Sequence, residues 1–155
     1  MKLYLVQHGE AVPEIKDPAR PLSAQGKADV ERMASFLARS GVRAAKVIHS
    51  GKTRARDTAV ILAGPLGPGI VEEADGLSPN DSTDALFAAA AGWDEDAMVV
   101  GHLPFMGRLV SRLTGGDEAA LTVQFEPGAV ACLERSDNGS AWTLAWMVRP
   151  SLLGG

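Results

Sequence analysis

Two short apolar runs, residues 2–6 and 97–100, each stop at a polar phrase built on a histidine, Gln7-His8-Gly9-Glu10 and Gly101-His102-Leu103-Pro104. Continuous apolar runs of this length, without polar alternation, are the pattern of strands buried on both faces, and such strands belong to parallel sheets covered by helices. Parallel strands deliver their following loops to one edge. In open α/β sheets that edge is where ligands bind, so two histidines more than ninety residues apart in the chain can share one site.

The rest of the chain alternates in the same way. A proline-containing charged loop, residues 12–20, leads to a helix that Ser23 can cap, with Val30, Met33, Ala34 and Leu37 on one face and Gly41 at its end. A strand over 46–49 and a helix from about residue 53 to 63 follow, and Pro65-Leu66-Gly67-Pro68-Gly69 then breaks the chain before a short run at 70–72. Residues 84–91 read as an alanine-rich helix. After the 97–100 strand, Pro104 suits the first turn of a helix bearing Met106, Leu109, Val110 and Leu113, closed by Gly115-Gly116. Residues 129–134 and 142–148, separated by Ser136-Asp137-Asn138-Gly139, predict a hairpin with an Asn-Gly turn, and residues 150–155 a frayed tail. The fold class predicted is α/β: a three-layer α/β/α sandwich with a mostly parallel sheet and a C-terminal antiparallel hairpin, in one domain over residues 1–155.

A third phrase carries chemistry. Ser50-Gly51-Lys52-Thr53-Arg54-Ala55-Arg56-Asp57-Thr58 leaves a strand and enters a helix, a turn that aims backbone N–H groups at an anion. Arg54 adds a forked pair of donors of the right shape for a phosphoryl group. Basic residues in a first turn oppose the helix dipole, so Lys52, Arg54 and Arg56 call for a reason beyond helix stability. His49 ends its strand without forming such a phrase and is read as a structural residue.

With these phrases in order, the chain resembles the histidine phosphatase superfamily, the phosphoglycerate-mutase-like group, in its small SixA-type phosphohistidine phosphatase branch. The opening strand followed by Arg-His-Gly corresponds to residues 3–10. The Pro-Leu-(Ser/Thr)-x-x-Gly phrase corresponds to Pro21-Leu22-Ser23-Ala24-Gln25-Gly26, the Ser-x-x-x-Arg-Ala-x-x-Thr phrase to residues 50–58, and the later Gly/Ser-His-x-Pro phrase to residues 101–104. The resemblance covers nearly the whole chain and implies a covalent phosphoryl transfer without cofactor or metal. His8 would be the nucleophile, and His102, Arg54 and the residue at position 7 would hold the phosphoryl oxygens.

Position 7 is where this chain departs from the pattern. Glutamine replaces the usual arginine and offers two neutral N–H donors in place of a charged fork. Losing about 1–3 kcal/mol of charge-assisted bonding at the transition state slows turnover roughly ten- to a hundredfold unless another cation compensates. Arg20, just before the Pro-Leu-Ser phrase, is the first candidate, ahead of Lys52 and Arg56. The resemblance to larger members also implies a carboxylate that protonates the leaving oxygen. Glu10 is the nearest in sequence, with Glu72, Glu73, Asp75 and Asp81 as alternatives. An imidazole leaving group needs such an acid less than an alkoxide does, so its absence would favour phosphohistidine substrates.

Composition narrows the partners. A net charge of −4 and a pI near 5.3 argue against a nucleic-acid backbone, which demands a basic face. No apolar run approaches the length of a membrane span, and no leader pattern opens the chain, so a cytoplasmic protein is expected. Cys132 is the only cysteine and lies in an apolar run, which predicts a buried thiol and no internal disulfide. Three histidines and one cysteine without ligand spacing give no support for metal. The partner implied is a phosphohistidine-bearing protein, such as a phosphotransfer domain or phosphocarrier, or a small phosphoester. The sequence leaves open a third possibility suggested by Gln7, a catalytically weakened module that binds phosphate or phosphohistidine.

Overall fold

A computed structural model describes residues 1–139 and 141–154. The apolar runs form a six-stranded sheet in the order β3-β2-β4-β1-β5-β6. Strands β1 (Lys2–Gln7), β2 (Lys46–His49), β3 (Ile70–Glu73) and β4 (Ala97–Gly101) are parallel, whereas β5 (Val130–Arg135) runs antiparallel to β1 and pairs with β6 (Trp142–Val148). All five residues of β4 are buried, as a central strand covered on both faces requires.

Alternation along the strands divides the core in two. Tyr4, Val6, Met98, Val100 and Cys132 face one way and pack with Val30, Met33 and Leu37 of α1 (Ala24–Arg39) and Ala55, Ala59 and Leu62 of α2 (Thr53–Leu66). Leu3, Leu5, Val99 and Leu133 face the other way, against Leu86 and Ala90 of α3 (Asp84–Ala91) and Met106, Leu109 and Val110 of α4 (Phe105–Gly115). The result is the predicted three-layer α/β/α sandwich. Each fully buried Leu or Met contributes about 1.5–3 kcal/mol by leaving water, so the sheet edge that carries the site rests on a stiff platform. Cys132 is fully buried, and burial pushes its thiol up to about 11. No helix among the described residues is long and apolar enough to cross a membrane.

Three local expectations change. The α2 helix continues through Pro65 to Leu66, beyond the predicted stop, and ends at Gly67 in the left-handed region (φ 60°). Pro65 supplies no N–H to the helical ladder, and the helix stops two residues later. The β5–β6 connection is longer than a two-residue Asn-Gly turn. Gly139 N–H donates to Ser136 O and Ser136 N–H to the Ala141 carbonyl, and Asn138 does not take the positive φ that such a turn demands. The tail is not frayed: Pro150–Leu152 form a 3₁₀ turn, Pro150 is buried and Leu153 packs on the α1 side of the core. Gly155, the last residue of that tail, lies outside the described residues.

The α1 N-terminus is tied to the first histidine phrase. Ser23 caps the helix, its Oγ accepting from Gly26 N–H at 3.0 Å, while Ser23 N–H donates to the Glu10 carbonyl at 2.9 Å. A β-carbon on Gly26 would stand 2.1 Å from that carbonyl oxygen. The backbone of residues 8–10 therefore lies directly on the helix, and only glycine permits it. Gly26→Ala is expected to destabilise the fold by about 1–3 kcal/mol, the scale of an overpacked core position. A lowered urea midpoint at unchanged m-value checks this, and an unchanged midpoint would contradict the contact.

Candidate active site

Strand register brings the two histidine phrases together. Gln7 pairs with Gly101 at the carboxyl ends of β1 and β4, so the next residues of both strands emerge side by side, and His8 N–H donates to the Gly101 carbonyl at 3.0 Å. The ring centroids of His8 and His102 lie 5.0 Å apart. On the far side of β4, His49 pairs with Val100, which delivers Ser50 next to His102. Ser50 Oγ and His102 Nε2 form a 2.7 Å hydrogen bond.

The protonation state of His8 follows from one contact. Its Nδ1 lies 2.7 Å from the Gly9 carbonyl, an acceptor only, so Nδ1 carries the hydrogen and Nε2 is left with a free electron pair. Burial pushes the ring down to about 4. The Gly9 carbonyl opposes that fall, and the charges of Arg54 and Arg20 add to it. His102 is driven to about 3, first by burial and then by His8, Arg54, Lys52 and Arg20. Both rings are therefore neutral near pH 7 and surrounded by positive charge.

Arg54 sits in the first turn of α2, where a buried hydroxyl holds the helix against the histidine loop. Thr58 Oγ1 donates to the Arg54 carbonyl at 2.8 Å and accepts from Gly9 N–H at 2.9 Å. Arg54 Nε is buried without a partner, and both burial and the nearby Arg20 lower the pKa of its guanidinium. Arg20 reaches the same place from the 12–20 loop. Its backbone is left-handed (φ 47°), its Nε donates to the Val12 carbonyl at 3.2 Å, and the loop ends are pinned by the Ala11–Leu22 bridge. A non-glycine residue in that region costs on the order of 1–3 kcal/mol and persists where surrounding structure imposes it. Gln7 Oε1 is buried with no hydrogen-bond partner.

His8, His102, Arg54 and Arg20 thus converge, with Gln7 at the end of the strand beneath them. Glu10 goes elsewhere. Its carboxylate accepts from Ser23 Oγ at 2.9 Å, and the residue lines a shallow groove with Gln25, Asp29, Glu126 and Pro150. Among the other carboxylates, Glu73 packs against Gly51 and acts on His49, and Asp81 accepts from Ser78 N–H. Ser50 and Thr58 emerge as residues of the cluster that sequence reasoning left without individual roles, beside Lys52, a lesser candidate cation whose charge acts on His102. The first two bound the Ser-x-x-x-Arg-Ala-x-x-Thr phrase, and their fixed spacing from Arg54 was the available signal.

Comparison with known proteins shows the family. The family model of the histidine phosphatase superfamily (branch 1) matches residues 3–78. A protein of uncharacterized role from Picosynechococcus sp. is 32% identical over 124 residues, covering 75% of this chain and 74% of its own. The chain belongs to the histidine phosphatase superfamily, and its activity is that of a phosphatase. Within the superfamily its likeness is to the SixA type. The phosphohistidine phosphatase SixA of Escherichia coli K12 is 26% identical over 156 residues, covering 97% of this chain and 94% of that protein. A structure of the protein histidine phosphatase SixA complexed with tungstate aligns over 99% of both chains at a TM-score of 0.87 and 26% identity.

The depressed histidines make stability pH-dependent. Unfolded histidine titrates near 6.5, so between about pH 6.5 and 4 the unfolded chain binds more protons than the folded one, and stability falls as pH drops through that window. Urea midpoints at pH 7 and pH 5 are expected to show this loss, and a His8→Asn/His102→Asn double variant a flatter dependence. Imidazole ¹⁵N NMR is expected to report both rings neutral at pH 6 with hydrogen on His8 Nδ1. A His8 titration midpoint near 6.5 would refute the assignment.

Proposed function

We propose that the protein hydrolyses phosphohistidine on another protein through a covalent phosphohistidine formed on His8. The observation that carries this reading is the charge around the nucleophile. His8 is neutral with Nε2 free, the charges acting on it are the cations Arg54 and Arg20, and the Glu10 carboxylate is held by Ser23 at the start of α1. A cationic pocket suits a phosphoryl group and its developing charge. With Glu10, the candidate acid nearest in sequence, tied to Ser23, it suits a leaving group that departs without strong acid assistance, as the imidazole of a phosphoramidate does.

In the first step the Nε2 pair of His8 attacks phosphorus in line, and the substrate imidazole leaves with the bonding pair and takes a proton from solvent. In the second, water attacks the same phosphorus, the Nε2–P bond breaks toward His8, and inorganic phosphate departs. One difficult displacement becomes two easier ones. Arg54, Arg20 and His102 hold the phosphoryl oxygens through both steps, where positioning and charge supply most of the acceleration. Gln7 contributes its amide N–H₂ to an oxygen. Its Oε1 is the buried end of the amide, which leaves the N–H₂ end as the one able to reach an anion. Arg20 supplies the fixed charge that Gln7 lacks.

Phosphate release from a phosphorylated histidine phosphotransfer domain, compared with p-nitrophenyl phosphate, tests the reading. Turnover of the phosphoprotein at far higher kcat/KM is expected, with an acid-labile phosphoenzyme that maps to His8 and disappears in His8→Ala. Preference for p-nitrophenyl phosphate would instead mark a phosphomonoesterase, and binding without turnover a phosphate-reading module. Arg20→Ala is expected to lower kcat/KM roughly ten- to a hundredfold, and Gln7→Arg to raise it within the same range. A Gln7→Arg rate equal to or below the wild type would show that the pocket is built around the amide.

A further inference from the structure

The residue after His102 opens a second feature. Leu103 is 38% exposed and forms one wall of a groove of about 310 Å³, with Pro104 and Gly107 from the start of α4 and Leu121 and Val123 from the segment that returns toward β5. Leu121, opposite, is 41% exposed. At the groove's end Arg108 and Glu118 face each other at 3.5 Å, and the Arg108 guanidinium also donates to the Pro79 and Asp81 carbonyls. Apart from the Thr122 side chain, the groove therefore offers hydrocarbon and no uncommitted charge. Its depth depends on a glycine in the first turn of α4: a β-carbon on Gly107 would meet only Leu103 Cδ2, at 4.0 Å. What the missing side chain leaves open is surface that the chain reaches directly after His102.

We propose that this groove is the docking surface for the protein that carries the phosphohistidine. The inference rests on the function proposed above and names how the partner is recognised. A small phosphate ester filling the cationic pocket has nothing to place on Leu103 and Leu121. A folded partner does: its phosphoryl group meets Arg54 and Arg20, while aliphatic side chains next to its histidine enter the groove directly after His102. An anion flanked by hydrocarbon is the complementary pattern to a cationic pocket flanked by an apolar wall. A transient enzyme–substrate encounter needs only such a small contact.

Two variants and two substrates test it. Gly107→Leu fills the groove with a good helix former, and Leu121→Asp puts a charge on its far wall. The substrates are a phosphorylated histidine phosphotransfer domain and free phosphohistidine, which share a leaving group. Each variant is expected to lose about tenfold or more in kcat/KM on the domain, to stay within about twofold of wild type on free phosphohistidine, and, for Gly107→Leu, to keep or raise its urea midpoint. Equal losses on both substrates, no loss on the domain, or wild-type preference for the free amino acid would each overturn the docking surface alone. So would a solution dimer that Leu121→Asp dissociates, since a second copy would then cover the groove. Failure of the wild type on both substrates would overturn the proposed function and this inference with it.

Discussion

The pairing of β1 with β4 is the constraint on which the site depends. These strands are adjacent only because the chain passes outward through β2 and β3 and then returns to insert β4 beside β1. Gln7 opposite Gly101 then sets the separation of the two imidazoles, although their phrases lie more than ninety residues apart in sequence. A slip of one residue would move every side chain of β4 to the wrong face and bury charge-bearing loops. The two apolar cores, one on each face, are what make that slip prohibitive. Fold and site geometry are thus the same fact seen at two scales.

Electrostatics completes what register begins. An imidazole near the surface would be partly protonated at neutral pH, and only its neutral fraction has a free electron pair. Burial and the crowding of Arg20, Arg54 and Lys52 keep both rings uncharged. The same cations repel one another when no anion is present. The left-handed backbone of Arg20, the unpartnered Arg54 Nε and the unpartnered Gln7 Oε1 are signs of a pocket held ready at some cost to stability. The rigid frame around it, from the Ala11–Leu22 bridge to the Thr58 hydroxyl, keeps those groups from relaxing apart.

Much of this could be read from residues alone, and the reasons differ by element. The strands were legible because residues 3–6 and 97–100 are apolar without alternation and end at glycine-containing phrases, the pattern of a doubly covered sheet. His8, His102 and Arg54 were picked out by their phrases and Arg20 by its place just before Pro21-Leu22-Ser23, and the fold brings these four side chains near one another. The role suggested for Glu10 rested on nearness in sequence, and the structure sends that carboxylate to Ser23 because the backbone of residues 8–10 crosses the first turn of α1. Chain proximity carries no information about which way a loop side chain turns. The tail was read as frayed because its glycines and lone proline look like coil. Its order comes from Pro150 and Leu153 packing on distant parts of the fold, a tertiary effect invisible to local pattern. The groove beside His102 was likewise hidden, since it is assembled from α4 and a segment more than ten residues further on.

The lone thiol has a practical bearing on work with this protein. Cys132 is sealed within the sheet and its thiolate is disfavoured well above neutral pH, so the folded molecule presents no reactive sulfur to solvent. A cysteine introduced anywhere on the surface would be the sole target for maleimide dyes or spin labels. Fluorescence or distance reporters could therefore follow partner encounters without first removing a native residue, and the native thiol itself is shielded during handling in air.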